Sequence, residues 1–326
     1  MSELRQDPIS GDWVVIAPGR NARPHYLDKK KTKRTQTPKS ECPFEDLEFS
    51  HNQPLARYPN NKQWRIAIIP NKYPAFTHED KCAVPLRNGI YKSMEGVGEH
   101  MLVITRDHNK HFAELDLDEA TDVFKIFQDR YRIAAQDPCV RYATAFYNFG
   151  PGGGASIWHP HYQFMAMPVI PSHSARSLDN AEKYYKKNRR CVRCDVIAFE
   201  RLKKVRVFAE NKAAIALAPY ASKSPFELGI MPKQHFASFA TTPEPVLRAT
   251  AELAQLAIRQ LKRNVNDPDL NFFIHSTSID GKPHPHHHWH IEVFPRISIP
   301  AGFEFSTGMY INTVAPEDAT KILRKR

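Results

Sequence analysis

The chain has 326 residues, of which 41% are hydrophobic, and its formal net charge is +11. This length accommodates one large domain or two of ordinary size, with a core that does not need disulfides. No apolar run approaches the ~20 residues of a membrane-spanning helix, so a membrane protein is not expected.

The cysteine count indicates the cellular compartment of the protein, and the distribution of positive charge bears on the class of its substrate. Five cysteines, an odd number, and the lack of a signal peptide predict a reducing compartment, the cytoplasm. Much of the positive charge lies in two runs, residues 29–34 and 186–190. Neither run has the interleaved aromatic residues of a single-stranded nucleic-acid platform, so nucleic acid is not expected as the main substrate. Anionic sugar phosphates would suit the charge equally well.

The first third of the chain contains short apolar strands, predicted at residues 13–17, 65–70 and 101–105. Arg20 and Arg23 follow the first of these strands. Guanidinium groups match phosphate oxygens, although solvated loop arginines are the ordinary alternative. Asn71 follows the second strand, where a plain turn residue is the alternative.

A helix is predicted over residues 117–135, because apolar residues recur at helical spacing. The stripe consists of Ala120, Val123, Phe124, Phe127, Tyr131 and Ala134. Its aromatic members are interpreted as core residues. A strand predicted over residues 141–148 then leads into a glycine-rich stretch.

The most informative stretch starts at Asn148 and continues through the glycine segment, residues 150–154, to Gln163. Glycines tolerate unusual backbone dihedrals and allow backbone N–H groups to approach a phosphate. His159, His161 and Gln163 alternate along a predicted strand and would therefore share one face. The alternative is a glycine turn before a strand with two incidental histidines. The contiguity of these features favours a site for a phosphorylated substrate.

The string Ser-Ile-Trp-His-Pro-His-Tyr-Gln, residues 156–163, resembles the active-site motif of the galactose-1-phosphate uridylyltransferases. These enzymes are the nucleotidyltransferase branch of the histidine-triad superfamily, whose hydrolases carry a third histidine where this chain has Gln163. The resemblance implies an α+β fold of duplicated histidine-triad-like units, with antiparallel sheets and packed helices.

The resemblance also implies a mechanism. His161 would attack the α-phosphate of UDP-glucose and form a uridylyl-histidine, which galactose 1-phosphate then resolves in a ping-pong reaction. A backbone carbonyl is expected to accept the proton on its other ring nitrogen. Ser156, Gln163 and the amides near Gly154 would stabilise charge on the phosphoryl oxygens.

Further substrate-binding residues follow from the same resemblance. Arginines in the opening segment would approach the sugar phosphate, an asparagine after the second strand would lie near the base, and the tail would offer a hydroxyl and an N–H to phosphate. The expected binding residues are Arg20, Arg23, Asn71, Asn148, Gly154, Thr307 and Gly308. For the tail, a turn before a C-terminal helix is the alternative.

A first zinc site is implied around Cys42. The family usually has Cys-x-x-Cys there, and this chain has Glu45 in the second position. A carboxylate oxygen can also bind zinc, at ~2.0–2.2 Å. Three alternatives therefore stay open: a zinc site with mixed ligands, a weaker site, or no site. By the resemblance, His108 and His159 complete this set, which would hold the active strand in place.

The second half repeats the order of the first. Cys191-x-x-Cys194 alone is compatible with a redox pair or with zinc. His235, a helix over residues 243–262, a strand over 271–275 and His288 then follow in the order of their counterparts. This order indicates an internal duplication, with units 1–178 and 179–326. Cys191, Cys194, His235 and His288 form a Cys₂His₂ set, typical of a closed structural zinc site.

Iron is not expected. Some relatives hold it through a glutamate after the active site and three later histidines. Here His275 and His290 are present, but Glu292 takes the third position and no glutamate follows Pro171. No glycine segment precedes His288, so the second half is predicted to be mainly architectural.

Two other functions stay open. One is an adenylyl transferase or ADP-sugar phosphorylase of the same family, since the base pocket cannot be derived from the sequence. The other, of a different class, is an inactive or nucleic-acid-binding histidine-triad module. The expected partners are a nucleotide sugar and a hexose 1-phosphate, with a homodimer as the candidate assembly.

Overall fold

A computed structural model of the protein describes residues 1–22, 34–48 and 53–325. The strands of this part are β1 (Glu3–Gln6), β2 (Trp13–Ile16), β3 (Ala56–Tyr58), β4 (Ile66–Pro70), β5 (Leu86–Asn88), β6 (Tyr91–Ser93), β7 (Glu99–Thr105), β8 (Tyr142–Phe149), β9 (His161–Met167), β10 (Val207–Glu210), β11 (Ala214–Leu217), β12 (Leu228–Pro232), β13 (Leu270–His275), β14 (His290–Pro295) and β15 (Tyr310–Asn312). The helices are α1 (Leu117–Ala134), α2 (Ser172–Asn188), α3 (Val192–Lys203), α4 (Glu244–Asn264), α5 (Gly302–Thr307) and α6 (Pro316–Leu323).

One antiparallel sheet contains ten of these strands, in the order β10-β11-β12-β14-β13-β8-β9-β7-β4-β3. From the central pair outward, β8-β9-β7-β4-β3 on one side corresponds to β13-β14-β12-β11-β10 on the other. Two five-stranded units are therefore joined edge to edge through β8 and β13. The predicted α+β fold with duplicated units is confirmed.

Aromatic side chains fill the core where the two units meet. Phe272 of β13 is opposite Tyr147 of β8 in the register, and their rings lie 5.3 Å apart. Tyr162 of β9 joins them and is fully buried. Edge-to-face and tilted aromatic pairs at these distances add to the stabilisation from buried area. The core of both units is thus continuous.

The two long helices cover one face of the sheet. The apolar stripe predicted for α1 is buried throughout, and α1 packs against α4 of the second unit. The helix begins where predicted, because the Asp116 carboxylate accepts a hydrogen bond from the Glu119 N–H at 2.7 Å.

The opposite face of the sheet carries the motif histidines. A small apolar cluster on this face joins Phe44 and Leu47 to Ala67, Leu102 and Ile104. The register pairs Ile104 with His161. Packing of residues 42–47 on the sheet therefore brings Cys42 and Glu45 next to the start of β9.

The termini of the described chain pack together. β2 pairs with β1 and, in parallel, with β15. The predicted boundary between residues 178 and 179 falls inside α2. Helices α2 and α3 were not predicted from the sequence, since α2 is mostly polar and buries only Leu178 and Ala181.

Cys82 and Cys139 form a disulfide, with their Cα atoms 4.9 Å apart. The sequence indicated a core large enough not to need disulfides and did not predict this pair. The two cysteines are 57 residues apart, so no local pattern revealed that the fold brings them together. Among the described residues, no helix is both long and apolar enough to cross a membrane.

A substitution in the shared core tests this architecture. Phe272→Ala should lower the free energy of unfolding by about 3–5 kcal/mol, because it leaves a cavity among tightly packed rings. Phe305→Ala is the control, since Phe305 is 80% exposed, and should change stability by less than about 0.5 kcal/mol. Urea unfolding followed by circular dichroism measures both, and equal losses would contradict the assignment of Phe272 to the core.

Candidate active site

His161, the first residue of β9, is buried and holds a defined tautomer. Its Nδ1 atom lies 2.9 Å from the carbonyl oxygen of His159. A carbonyl oxygen only accepts, so Nδ1 carries the proton and Nε2 keeps its lone pair. The structure thus supplies the backbone acceptor that was expected. Burial lowers the pKa of His161, with the hydrogen bond to the His159 carbonyl opposing it. The imidazole is therefore neutral near pH 7, as a nucleophile requires.

A cavity of about 390 Å³ lies beside His161. Of the residues predicted for the active site, Asn148, Ser156, His159 and His161 line this cavity. Gln163 is two residues farther along β9, and its oxygen Oε1 contacts His100 Nε2 at 3.0 Å.

Backbone N–H groups of the glycine segment donate hydrogen bonds within the protein. The N–H of Gly152 donates to Asp269 Oδ2 at 2.7 Å, and those of Gly153, Gly154 and Ala155 donate to carbonyls within the segment. In this conformation the N–H groups of residues 152–155 are therefore occupied within the protein, and the predicted contact of amides near Gly154 with phosphoryl oxygens stays a prediction for the N–H of Ser156. Within the described part of the chain, Ser156 has no hydrogen-bonded partner for its N–H or hydroxyl.

The glycines instead allow close packing against β13 and the residue before it. A Cβ atom at Gly150 would lie 2.0 Å from Asp269 Oδ1, and the φ of Gly150 is +74°. A Cβ atom at Gly153 would lie 2.7 Å from the carbonyl oxygen of Leu270. Both contacts are too short for any side chain.

The side chain of Asn148 is held by a hydrogen bond from strand β13. Its Oδ1 accepts a hydrogen bond from Asn271 Nδ2 at 2.8 Å, and Asn271 also donates to the Gly153 carbonyl at 2.7 Å. The oxygen of the Asn148 amide is therefore already used within the protein. Its NH₂ group is the part of this side chain that remains to serve a ligand.

Two further cavity residues were missed by the sequence analysis. Arg34 donates to Asp269 Oδ1 at 2.8 Å and to Asp267 Oδ2 at 2.7 Å. His111 contacts the Tyr147 hydroxyl at 2.8 Å, and burial lowers its pKa to about 3. Arg34 was only part of a basic run, and its partners are more than two hundred residues away. His111 belongs to none of the motifs named above.

Cys42, His108 and His159 form the first candidate metal cluster, with ligand atoms within 4.8 Å of one another. A carboxylate oxygen of Glu45 lies 3.0 Å from His108 Nδ1 and 3.5 Å from His159 Nδ1. The Nε2 atoms of both histidines contact backbone carbonyls, of Thr37 at 2.8 Å and of Thr105 at 2.7 Å. Such contacts fix each tautomer with Nδ1 free, as metal-binding imidazoles require. All four predicted residues thus converge.

The second candidate cluster contains Cys191, Cys194, His235 and His288, again within 4.8 Å. Cys194 Sγ lies 3.4 Å from His235 Nδ1 and 3.5 Å from His288 Nδ1. The hydrogen bond from the Cys194 thiol lowers the pKa of Cys191. A thiolate beside two imidazoles is the donor set that zinc prefers.

A third cluster joins His275, His290 and Glu292, where the resemblance raised the question of iron. The guanidinium of Arg193 lies 3.1 Å from His290 Nε2. Arginine stays charged in proteins, so a metal ion here would meet a fixed positive charge at one of its ligand atoms. This donor set does not suit iron.

The remaining predicted binding residues lie elsewhere. Arg20 follows β2, and Thr307 and Gly308 precede β15, so all three belong to the three-stranded sheet and its flanks. None of them lines the cavity at His161 in the part of the chain that the structure describes. Asn71 lies beside His100, 2.9 Å from its Nε2. Arg23 lies outside the described residues.

Comparison with known proteins identifies the family. The model for the N-terminal domain of galactose-1-phosphate uridyl transferase matches residues 1–171, and a domain of unknown function, DUF4921, matches residues 97–326. The chain is 31% identical to the ADP-glucose phosphorylase of Arabidopsis thaliana over 330 residues, which cover 99% of this chain and 92% of that protein. The chain belongs to the galactose-1-phosphate uridylyltransferase family.

Two other similarities extend over the full length. The galactose-1-phosphate uridylyltransferase of Thermotoga maritima is 25% identical over 336 residues, covering 100% of this chain and 98% of that protein. A crystal structure of the Arabidopsis thaliana ADP-glucose phosphorylase with bound ADP-glucose superposes with a TM-score of 0.86 at 28% identity, covering 100% of this chain and 99% of that one. The protein is thus an enzyme of this nucleotidyltransferase family.

The two cysteine–histidine clusters should differ in metal affinity. We expect zinc in the purified protein, with about one ion per chain surviving mild chelation, because the Cys₂His₂ set binds more firmly than the set with Glu45. Cys194→Ser should remove this resistant ion. Glu45→Cys should make the other ion resistant as well.

Elemental analysis before and after dialysis against a chelator measures both effects. A preparation of the unaltered protein without zinc before chelation would rule out both sites.

Proposed function

We propose that the protein transfers a nucleotidyl group from a nucleoside diphosphate sugar to a phosphate-bearing acceptor, through a covalent intermediate on His161. The tautomer of His161 is the observation that carries this proposal. With Nδ1–H committed to the His159 carbonyl, Nε2 is a neutral nucleophile next to a cavity. The cavity also presents the hydroxyl and N–H of Ser156, which have no hydrogen-bonded partner among the described residues.

The reaction has two displacements. In the first, Nε2 of His161 attacks the α-phosphorus, the bond to the bridging oxygen of the β-phosphate breaks, and the sugar 1-phosphate leaves. In the second, an oxygen of the acceptor attacks the same phosphorus and the P–N bond breaks, which regenerates the free imidazole. Covalent catalysis of this kind divides one difficult transfer into two easier ones.

Hydrogen-bond donors would stabilise the charge on the phosphoryl oxygens. We assign this role to the hydroxyl and N–H of Ser156 and to the side-chain amide of Gln163. The NH₂ group of Asn148 is suited to bind the substrate phosphates. The amides of the glycine segment have no such role in the conformation described here.

The first metal cluster would act structurally. Zinc bound by Cys42, Glu45, His108 and His159 would fix the side chain of His159, whose carbonyl oxygen in turn sets the tautomer of His161. Both displacements are carried by the side chains named above.

Two pairs of donor and acceptor suit this chemistry. UDP-glucose with galactose 1-phosphate is supported by the match to the uridyl transferase model and by the Thermotoga maritima relative. ADP-glucose with inorganic phosphate is supported by the higher identity to the Arabidopsis thaliana phosphorylase and by the ADP-glucose in its crystal structure. Asn71 is proposed to contact the base of whichever donor is used.

Arg20, Thr307 and Gly308 are proposed to bind the sugar phosphate of a partner copy. They flank the three-stranded sheet and not the cavity at His161. A homodimer in which this sheet of one copy meets the cavity of the other would bring them to the substrate.

The covalent step can be tested with each donor in turn. Incubation with the true donor and no acceptor should add one nucleotidyl group to the protein, and the mass of the adduct distinguishes UMP from AMP. His161→Asn should abolish the adduct and lower turnover by at least about 10³-fold, because the nucleophile is lost. His284→Asn, a histidine of the second half, is the control and should form the adduct normally.

Intact-protein mass spectrometry gives the result. Adduct formation by the His161→Asn protein would disprove the assignment of the nucleophile.

The role of Gln163 is tested by the fate of the adduct. A glutamine amide does not titrate near neutral pH, so it provides no proton relay for attack by water. The unaltered protein should therefore hydrolyse its nucleotide sugar far more slowly than it transfers the nucleotidyl group. Gln163→His should narrow this gap, within the ~10²–10⁴-fold range typical of acid–base groups.

Initial velocities with and without acceptor measure the gap, and Gln163→Ala controls for loss of the amide alone. Rapid hydrolysis by the unaltered protein would place it with the hydrolases of the superfamily.

A further inference from the structure

A buried histidine, His100, lies beside Gln163 and has no part in the two displacements. His100 is the second residue of β7 and is 8% exposed. In the β7–β9 register Leu102 is opposite Gln163, so His100 lies diagonally across from Gln163 on the same face of the sheet. Its Nε2 atom is 3.0 Å from the side-chain oxygen of Gln163.

The position of the ring proton on His100 follows from a backbone contact. The N–H of Ala75 donates to His100 Nδ1 at 3.1 Å. A backbone N–H is always a donor, so Nδ1 is the acceptor and a neutral His100 carries its proton on Nε2. Nε2–H must then donate to Gln163, and only the oxygen of the Gln163 amide can accept. The proton on His100 Nε2 therefore fixes the orientation of this amide, with its oxygen toward the histidine ring.

Asn71 does not compete for this proton. The N–H of Tyr73 donates to Asn71 Oδ1 at 2.9 Å, which leaves the NH₂ group of Asn71 facing His100 Nε2. Two donors cannot bond to each other, so the ring proton goes to Gln163.

We infer that His100 is a positioning residue, which fixes the Gln163 amide with its NH₂ group toward the phosphoryl oxygens. This inference rests on the proposed nucleotidyl transfer. With the oxygen of the amide held by His100, the NH₂ group is the free end and donates to the developing negative charge. Without His100 the planar amide can turn by half a rotation and present its oxygen, which repels that charge.

A double-mutant cycle separates positioning from general support of the fold. His100→Phe should slow nucleotidylation of His161 by about 10–100-fold at saturating donor, since a lost or misdirected donor weakens transition-state stabilisation. In a Gln163→Ala background the same change should cost less than about 2-fold, because the group that it orients is gone. His100→Gln keeps an acceptor for Ala75 and a donor for Gln163, and should recover most of the rate.

The results are read from the adduct rate by rapid-quench mass spectrometry, with thermal unfolding of each variant as a check on folding. An equal loss in both backgrounds, or no loss in the native background, overturns the inference. If the unaltered protein forms no adduct with either UDP-glucose or ADP-glucose, the proposed function itself has failed.

A second measurement does not depend on activity. In protein labelled with ¹⁵N-histidine, long-range nitrogen–proton spectra report the tautomer of each ring, and the His100→Gln variant identifies the signal of His100. Protonation at Nε2 supports the inference. Protonation at Nδ1 overturns it, whatever the kinetics show.

Discussion

The hydrogen bond from His161 to the carbonyl oxygen of His159 is the interaction on which the site depends. It spans only two residues, yet it decides which ring nitrogen is free. The acceptor belongs to a residue whose own side chain lies between Cys42 and His108. The nucleophile is thereby tied to the candidate metal cluster through a single peptide unit. A rigid support close to the reacting atom limits the reorganisation needed at the transition state.

The duplication places equivalent residues in different surroundings. His290 and Glu292 of β14 correspond to His161 and Gln163 of β9. His290 Nε2, however, lies 3.1 Å from Arg193 and 3.3 Å from Glu292. Because the Arg193 guanidinium donates to this nitrogen, its lone pair is already used and is not available to a substrate. The second unit contributes instead through Asp269 and Asn271, which hold the glycine segment of the first.

The sequence predicted the architecture well, because the information lay in local patterns. Strand alternation, the helical stripe from Ala120 to Ala134 and the repeated order of cysteines and histidines each reflect neighbours in the chain. The convergence of Cys42, Glu45, His108 and His159 was reachable through the resemblance. Helix α2 was missed because it is mostly polar, and the short helix α3 was missed although several of its residues are apolar, because it buries only Val192, Ile197 and Glu200.

The finer organisation of the site could not be derived in this way. A glycine-rich segment indicates that another group can approach the backbone closely, but it does not identify that group. Here it is Asp269, more than one hundred residues away, and not a free phosphate site on the amides. Arg34, His100 and the pairing of Cys82 with Cys139 likewise depend on contacts between distant segments. No single-sequence pattern records such contacts.

The pairing of β2 with β15 has a consequence for how the chain folds during synthesis. Arg5 in β1 bonds Glu317 at 2.9 Å across 312 residues of chain. At translation rates of roughly 5–20 residues per second, the first two strands must wait on the order of tens of seconds for this partner. Throughout that interval β1 is, among the described strands, the one neighbour that β2 has, while the first five-stranded unit can already form. The growing polypeptide thus exposes an unpaired strand edge on the ribosome, the kind of surface to which chaperones bind.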